Sequence, residues 1–170
     1  MLGWDRHLES WIAAHRVSAL DPLFRLLTHL GTWGAVWLVI AAVVTALQRR
    51  WQVLLWVAVA DLAAQVSTEL LKAAVDRDRP RVHTLVSPPH SHSFPSGHAA
   101  SSFACAVVLA AFVPRLRWPL YTLAVLIAFS RTYVGVHFPL DVVAGALLGL
   151  VLGKATLELS RSARRSRPRE

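Results

Sequence analysis

The chain has 170 residues, of which 55% are hydrophobic and 16% charged, with a formal net charge of +8. That length suits one domain, and the hydrophobic share is too high for an ordinary soluble protein, so we expect helices that span a bilayer. The arginines flank apolar segments or gather near the C-terminus, which favours anionic lipid headgroups over nucleic acid as their partner. Cys105 is the only cysteine, which excludes an internal disulfide.

The first 30 residues predict a segment that lies on the membrane. Within residues 4–16 the apolar residues share one helical face and the charged residues lie opposite, as in an interfacial helix. The apolar face holds Trp4, Leu8, Trp11 and Ile12. Charges are mixed with apolar residues throughout this stretch, so a cleavable signal peptide is not predicted. Residues 20–30 are expected to continue the segment.

Five membrane-spanning helices are predicted after this segment, which makes the fold an all-α, polytopic transmembrane bundle. A bilayer core of about 30 Å needs about 20 apolar residues in each helix, and long runs with few charges meet that need. The predicted spans are 31–48, 51–74, 97–113, 118–134 and 139–159. A single domain would then cover residues 1–160, followed by a basic tail over 161–170.

The lysines and arginines favour one orientation of this bundle, because cytoplasmic loops carry an excess of both. One predicted side holds nine of them and the other eight. Three of those eight, Lys72, Arg79 and Arg131, belong to a candidate site, and setting them aside leaves nine against five. The count therefore predicts a cytoplasmic tail and an outward-facing loop over 76–95, a connection long enough to be functional.

Three groups of polar residues lie at predicted helix ends and at one predicted membrane face. They are Lys72 with Arg79-Pro80, then Pro95-Ser96-Gly97-His98, then Ser130-Arg131 with His137 and Asp141. Because each group sits at a helix end, its side chains can converge on one site without crossing hydrocarbon.

The cations of these groups match the needs of a phosphate dianion. Lys72 offers a point charge, and Arg79 and Arg131 offer planar forks that bind two oxygens at once. Ser96 and Gly97 add neutral donors at the start of a predicted helix, where free N–H groups favour an anion. The sequence therefore predicts a phosphate site that requires no metal.

Two histidines and an aspartate could supply the reaction at this site. Displacement at phosphorus needs a nucleophile on one side and a proton donor for the leaving oxygen on the other, and His137 and His98 can fill those roles. Asp141 follows His137 by four residues, close enough in a helical turn to accept a ring proton and leave the other nitrogen free to attack. Pro139 suits the first turn of the last span.

Together these residues resemble the complete signature of the type 2 phosphatidic acid phosphatases. The matching patterns are Lys72-x6-Arg79-Pro80, Pro95-Ser96-Gly97-His98 and Ser130-Arg131-x5-His137-x3-Asp141. The resemblance implies a membrane lipid phosphatase that works through a phosphohistidine without a cofactor, with His137 as nucleophile, Asp141 as its orienting partner and His98 as general acid. The implied phosphate ligands are Lys72, Arg79, Ser96, Gly97 and Arg131. Such enzymes commonly have six spans, and here the interfacial helix stands in place of the first.

The lipid itself is left open by the residues. Phosphatidic acid, phosphatidylglycerophosphate, a polyprenyl diphosphate and a polyprenyl-linked sugar phosphate all carry a terminal phosphate on an apolar tail. An outward-facing site favours the polyprenyl carriers of the cell envelope, by analogy. A vanadium-dependent haloperoxidase is one alternative, although those enzymes are typically soluble. A catalytically silent membrane scaffold or lipid-binding protein is another, and the presence of both histidines and every basic ligand argues against it.

Charged residues outside the three groups have plainer interpretations. Four residues beside the first group are expected to form surface ion pairs: Asp76, Arg77, Asp78 and Arg81. Three loop histidines lack an acidic or cysteine co-ligand and are interpreted as solvated side chains rather than a metal site: His83, His90 and His92.

Two helix stripes and three tryptophans complete the sequence predictions. A polar stripe on the second span must face the bundle interior, for packing and, in the case of Glu69, for support of the site; it consists of Asp61, Gln65 and Glu69. A small-residue stripe on the last span predicts a close helix contact within the chain or in a homo-oligomer; it consists of Gly145, Gly149 and Gly153. The tryptophans near span ends are interpreted as interface anchors; they are Trp33, Trp51 and Trp118.

Overall fold

The computed structural model describes residues 3–165, except for the side chain of Arg164, and this range contains seven α-helices and no β-strand. The helices are α1 (Gly3–Ala14), α2 (Asp21–Leu30), α3 (Ala35–Gln48), α4 (Gln52–Val75), α5 (Gly97–Phe112), α6 (Arg117–Tyr133) and α7 (Pro139–Arg165). Short 3₁₀ turns precede α2, α3 and α6. The predicted all-α class is confirmed. The remainder of the predicted basic tail, residues 166–170, lies outside the described range.

Helix α5 forms the centre of the bundle. It packs against α4, α6 and α7, and most of its residues are buried. Its sequence is dominated by alanine and serine, whose small side chains let neighbouring backbones approach closely. The site therefore begins on the most enclosed helix of the molecule.

The glycine stripe of α7 is used inside the chain, against α5. A Cβ added at Gly153 would lie 2.8 Å from the carbonyl oxygen of Ala104, and one added at Gly149 or Gly145 would lie still closer to the carbonyl oxygen of Ala100 or of Ser96, just before α5. Only glycine leaves room for two backbones at this distance. The self-association predicted through these glycines stays a prediction, and it would need another surface.

The first helix turns its charged face toward the protein. Asp5 is 0% and Glu9 1% exposed, whereas Trp4 and Trp11 are more than half exposed. Helix α1 contacts α6 and α7 through this acidic face. Its apolar face is left outward, an arrangement that suits a helix in the membrane interface.

Helix α2 does not simply extend α1. An extended residue, Val17, and a 3₁₀ turn separate the two helices. Helix α2 then buries Phe24 and Leu27 against α6, and the Phe24 ring stacks on Tyr133 with centroids 4.0 Å apart. Residues 20–30 are thus part of the bundle, and helix α2 forms one wall of the site.

Two described helices, α4 and α7, are long and apolar enough to cross a membrane. A third candidate is the pair formed by residues 18–30 and 32–48, which bends by 62° at its break. Helix α5 is apolar but shorter. The count of five spans stays a prediction, and the last helix runs beyond the predicted end at 159, to Arg165.

Four helix ends meet at one end of the bundle and bring the three polar groups together. The backbone N–H of Ser96, before α5, donates to the backbone oxygen of Asp141 in α7 over 3.0 Å. The side chain of Arg79, after α4, donates to the backbone oxygen of Val136, after α6, over 2.7 Å. These cross-links hold residues far apart in sequence at one site.

Candidate active site

A cavity of about 390 Å³ opens where the helix ends meet. Six of the eight predicted site residues line it: Lys72, Arg79, Gly97, His98, Arg131 and His137. The other two, Ser96 and Asp141, are buried beside it. The cavity also borders Trp33, in the break between α2 and α3, whose side chain is largely exposed.

His137 lies in the turn between α6 and α7 with its two ring nitrogens in different surroundings. Nδ1 lies 3.5 Å from Oδ2 of Asp141, and Nε2 lies 3.3 Å from Nη1 of Arg79. The Nδ1 distance is long for a hydrogen bond, as is common in sites without substrate. The carboxylate therefore faces Nδ1, and Nε2 faces the cations.

Burial decides the protonation of His137. It lowers the pKa of the imidazole well below its ordinary value of 6.5, and the positive charges of Arg131, Arg79 and Lys72 lower that pKa further. The ring is therefore neutral near pH 7. With a proton on Nδ1, held toward Asp141, the lone pair is on Nε2.

The loop after α4 holds Arg79 in place with several hydrogen bonds. Its Nε donates to the backbone oxygen of Ser91 over 2.8 Å, and Nη2 donates to the backbone oxygen of His92 over 3.2 Å. Burial lowers the pKa of Arg79, while the charges of Asp141 and Glu69 oppose that shift. The guanidinium group of Arg79 is therefore held in place at the cavity wall, beside Nε2 of His137.

Three buried polar atoms at the site have no hydrogen-bond partner among residues 3–165. They are Nδ1 of His137, the Nε of Arg131 and the side-chain oxygen of Ser96. A buried donor without a partner is costly, so such groups call for an explanation. Arg131 and Ser96 belong to the predicted phosphate ligands, and an oxyanion in the cavity would give the Nε of Arg131 a partner.

Helix α2 contributes a residue that the sequence analysis missed. The backbone oxygen of Thr28 accepts from Nε2 of His98 over 3.0 Å, and its hydroxyl accepts from Arg131. A carbonyl oxygen only accepts, so Nε2 of His98 carries a proton and Nδ1 is the nitrogen left to exchange one. Gly31, one turn later, leaves no space between α2 and the ring, since an added Cβ would lie 2.8 Å from Cδ2 of His98.

The prediction of surface ion pairs is wrong for one of the four residues, Arg77. Arg77 is mostly covered, with 11% of its side chain exposed, and pairs with Asp5 and Asp141. The sequence distances of 72 and 64 residues explain why local patterns did not show these contacts. Arg81 and Asp78 do pair at the surface, over 3.8 Å, and Asp76 pairs with His92 over 2.9 Å.

The polar stripe of α4 divides between the core and the cavity. Asp61 is buried and accepts from Ser101 of α5 and, over 2.5 Å, from Gln65. Glu69 is mostly exposed and pairs with the Nζ of Lys72 over 2.7 Å. Helix packing thus accounts for Asp61, and Glu69 orients a cation of the site.

Comparison with known proteins identifies the family. The PAP2 superfamily profile matches residues 51–165, which contain all three polar groups. The chain belongs to the PAP2 superfamily. It is therefore a hydrolase of phosphoric esters, and the membrane-embedded relatives agree with its apolar helices.

Two relatives of this PAP2 chain act on phosphates carried by polyprenyl lipids, according to their names. An undecaprenyl-diphosphatase of Sulfolobus acidocaldarius is 32% identical over 87% of this chain and 74% of its own length. A decaprenylphosphoryl-5-phosphoribose phosphatase of Mycobacterium tuberculosis is 33% identical over 85% of this chain and 83% of its own length.

Solved structures agree with the PAP2 assignment. LpxE of Aquifex aeolicus is 29% identical, with a TM-score of 0.79 over 92% of this chain and 96% of that protein. A transmembrane PAP2-type phosphatidylglycerolphosphate phosphatase of Bacillus subtilis is 28% identical, with a TM-score of 0.77 over 96% and 87%.

A bacterial vanadium-dependent iodoperoxidase shares the fold alone. It is 18% identical, with a TM-score of 0.76 over 91% of this PAP2 chain and 48% of that protein. The haloperoxidase alternative thus has a distant fold similarity, whereas the phosphatase assignment has the family match and closer relatives.

Proposed function

We propose that this PAP2 enzyme removes the terminal phosphate from polyprenyl diphosphates or polyprenyl-linked sugar phosphates by way of a phosphohistidine at His137. One observation carries the proposal: a buried neutral imidazole directs Nε2 into a cavity lined by three cations, with a carboxylate behind Nδ1. That arrangement suits attack on a phosphate dianion whose charge the cations neutralise.

In the first step, the Nε2 lone pair of His137 bonds to phosphorus and the bond to the leaving oxygen breaks. When the phosphate binds, His98 takes up a second proton, at Nδ1, and it then gives this proton to the leaving oxygen, so the lipid leaves as a neutral alcohol or a protonated phosphate. Arg79, Arg131 and Lys72 hold the three remaining oxygens, and Ser96 and the first N–H groups of α5 add donors.

In the second step, water attacks phosphorus and gives a proton to His98, which then returns to its starting state. The P–N bond breaks, its electron pair returns to Nε2, and inorganic phosphate is released. Asp141 stabilises the positive charge on the His137 ring during both steps. The chain's own cations supply the charge that a metal supplies in other phosphatases.

The substrate class is supported by the named activities of the two relatives and by the cavity mouth. The cavity is bordered by Trp33, whose large apolar side chain is 77% exposed. Such a mouth suits a phosphate attached to an apolar tail. A site on the outer membrane face, favoured by the arginine count, suits recycling of envelope carriers. Phosphate release from undecaprenyl diphosphate, phosphatidic acid and phosphatidylglycerophosphate would rank these lipids directly.

The proposed roles of the two histidines predict different losses of activity. His137→Ala removes the attacking nitrogen, so no phosphoenzyme should form with any substrate. His98→Ala removes only the proton donor, so a nitrophenyl phosphate, whose leaving group departs readily as an anion, should be spared relative to a lipid substrate. The gap should be about 10²- to 10⁴-fold, the usual contribution of a general acid.

Rapid-quench assays with phosphorus-labelled substrates measure both effects under conditions in which chemistry limits the rate. Phosphate trapped covalently on His137→Ala would overturn the assignment of His137 as the nucleophile. Equal losses of activity on both substrates in His98→Ala would overturn the assignment of His98 as the general acid.

A further inference from the structure

The two carboxylates that α1 buries are not equivalent. Glu9 leaves one side-chain oxygen without a hydrogen-bond partner in the described range, whereas both oxygens of Asp5 are bonded. Burying a carboxylate is costly unless it is paired and hydrogen-bonded. The burial of Asp5 is therefore explained by its hydrogen bonds, whereas the burial of Glu9 is not.

Asp5 reaches the two segments that carry the proposed nucleophile and its partner. Its Oδ1 accepts from the backbone N–H of Leu140 over 3.0 Å, and its Oδ2 accepts from Nη2 of Arg77 over 2.5 Å. Leu140 lies in the first turn of α7, where unpaired N–H groups and the helix dipole favour a negative charge. Asp5 thus caps the helix that begins between His137 and Asp141.

Arg77 extends this contact to Asp141. Its Nη1 donates to Oδ1 of Asp141, and its guanidinium lies over the Phe138 ring, 4.4 Å from the centroid. The second oxygen of Asp141 accepts from the N–H of Phe138 over 3.0 Å and faces Nδ1 of His137. A continuous line therefore runs from Asp5 through Arg77 and Asp141 to His137.

Charge explains why both members of the pair are needed. Arg77 bridges the two carboxylates, since one guanidinium nitrogen donates to Asp141 and the other to Asp5. Without Asp5, its positive charge would cancel the charge that Asp141 presents to His137. Asp5 restores it, since the three groups together carry one negative charge. That charge opposes the positive charge that develops on the imidazole when Nε2 bonds to phosphorus.

We propose that Asp5 and Arg77 are positioning residues of the phosphatase reaction, which hold Asp141 in place and keep a net negative charge beside His137. Helix α1 is then part of the active site and not only a membrane attachment. This inference rests on the roles of His137 and Asp141 proposed above.

The central test is Asp5→Asn, which keeps size and loses charge. The rate of phosphoenzyme formation and kcat should fall about tenfold or more, as when outer partners of a catalytic ligand are lost, while KM stays near the wild-type value. Glu9→Gln, compared with Asp5→Asn at pH 8, where Glu9 is ionised, is the matched control, because it neutralises an equally buried carboxylate on the same face of α1 without touching Arg77 or Asp141. It should keep the wild-type rates.

A double variant separates charge balance from simple docking of α1. Arg77→Met leaves two buried carboxylates, whereas Asp5→Asn with Arg77→Met leaves one negative charge, as in the wild type. The double variant should therefore be more active than Arg77→Met alone. If Asp5→Asn does not yield folded protein, this comparison alone carries the test.

The inference is overturned if Asp5→Asn keeps the wild-type rate of phosphoenzyme formation, if Glu9→Gln loses as much as Asp5→Asn, or if the double variant is no better than Arg77→Met. His137→Ala, measured alongside, separates this failure from that of the proposed function. A phosphoenzyme on His137→Ala overturns both. If His137→Ala forms no phosphoenzyme and Asp5→Asn keeps the wild-type rates, only the positioning role of Asp5 and Arg77 is overturned.

Discussion

Burial acts on individual side chains of this enzyme according to the charge each would carry. It keeps His137 neutral, which makes a nucleophile available, and it makes the ionised form of Glu9 unfavourable. The pKa of Glu9 is raised from 4.5 to about 7, first by burial and then by the charge of Asp5, with Arg16 opposing the shift. The same physical effect thus assists the chemistry at one residue and costs stability at another.

Glu9→Gln should stabilise the protein at pH 8 more than at pH 5. Between about 4.5 and 7 the folded chain holds the Glu9 proton while the unfolded chain has lost it, so the free energy of unfolding falls as the pH rises through this window. Glutamine removes that dependence. Thermal unfolding of both proteins in detergent at the two pH values measures the difference, and an equal shift at pH 5 and pH 8 would contradict it.

Activity should survive removal of divalent metals, because Lys72, Arg79 and Arg131 supply fixed positive charge at the cavity. Vanadate should inhibit, since it can adopt the trigonal bipyramidal shape that the cations must stabilise. Phosphate release by purified protein with and without EDTA is the measurement. Turnover that EDTA abolishes and only a divalent ion restores would rule out a metal-independent site.

At the scale of helices, the contact between α5 and α7 depends on the glycines of α7. In an open helix, alanine is favoured over glycine by about 0.5–1 kcal/mol. Gly149→Ala should nevertheless destabilise the protein, by about 1–3 kcal/mol, because the new methyl group would meet the backbone of Ala100. Cys105 is fully buried, so a thiol-reactive dye should label it only when heating unfolds the protein. The rise in dye labelling with temperature therefore measures the melting temperature.

Gly3→Ala makes the same chemical change where the structure leaves open space, and it serves as the control. A lower melting temperature in Gly149→Ala but not in Gly3→Ala is the expected result. Equal melting temperatures for both variants would show that the helices can separate at no cost.

The sequence predicted those site residues whose contacts are local or lie at helix ends. His137 lies just before α7 and Asp141 in its first turn, four residues later, so their spacing predicts their proximity. Thr28 was missed because its backbone oxygen is the main acceptor and carries no side-chain pattern. Arg77 was placed at the surface because its partners lie 64 and 72 residues away.

The hydrophobic pattern of α1 predicted which residues share a face but not what each face meets. In a soluble protein the charged face would meet water. Here Asp5 and Glu9 meet protein, since the apolar face has lipid as its solvent. A boundary after residue 30 was predicted, but the span was expected to begin at residue 31, whereas α3 begins at Ala35, because Gly31 and Gly34 read as part of one apolar run.

For the whole molecule, the positive-inside rule predicts an orientation in the membrane that can be measured directly. Single cysteines at Ser87, Arg50 and Ser166, each in a Cys105→Ala background, should divide into two classes. An impermeant thiol reagent should label the Ser87 position in the long loop from outside intact cells, whereas the other two positions should react only after lysis. Equal labelling of all three positions in intact cells would contradict this predicted topology.

The contact between Asp5 and the start of α7 joins residues 135 positions apart. During synthesis, the aspartate leaves the ribosome long before its partner helix exists. Its charge can be matched only after the last helix has been inserted, so the carboxylate behind the nucleophile is set in place at the final stage of assembly. A nascent or truncated chain would therefore hold most of the phosphate ligands and yet be inactive. The appearance of phosphatase activity would then show that insertion of the last helix is complete.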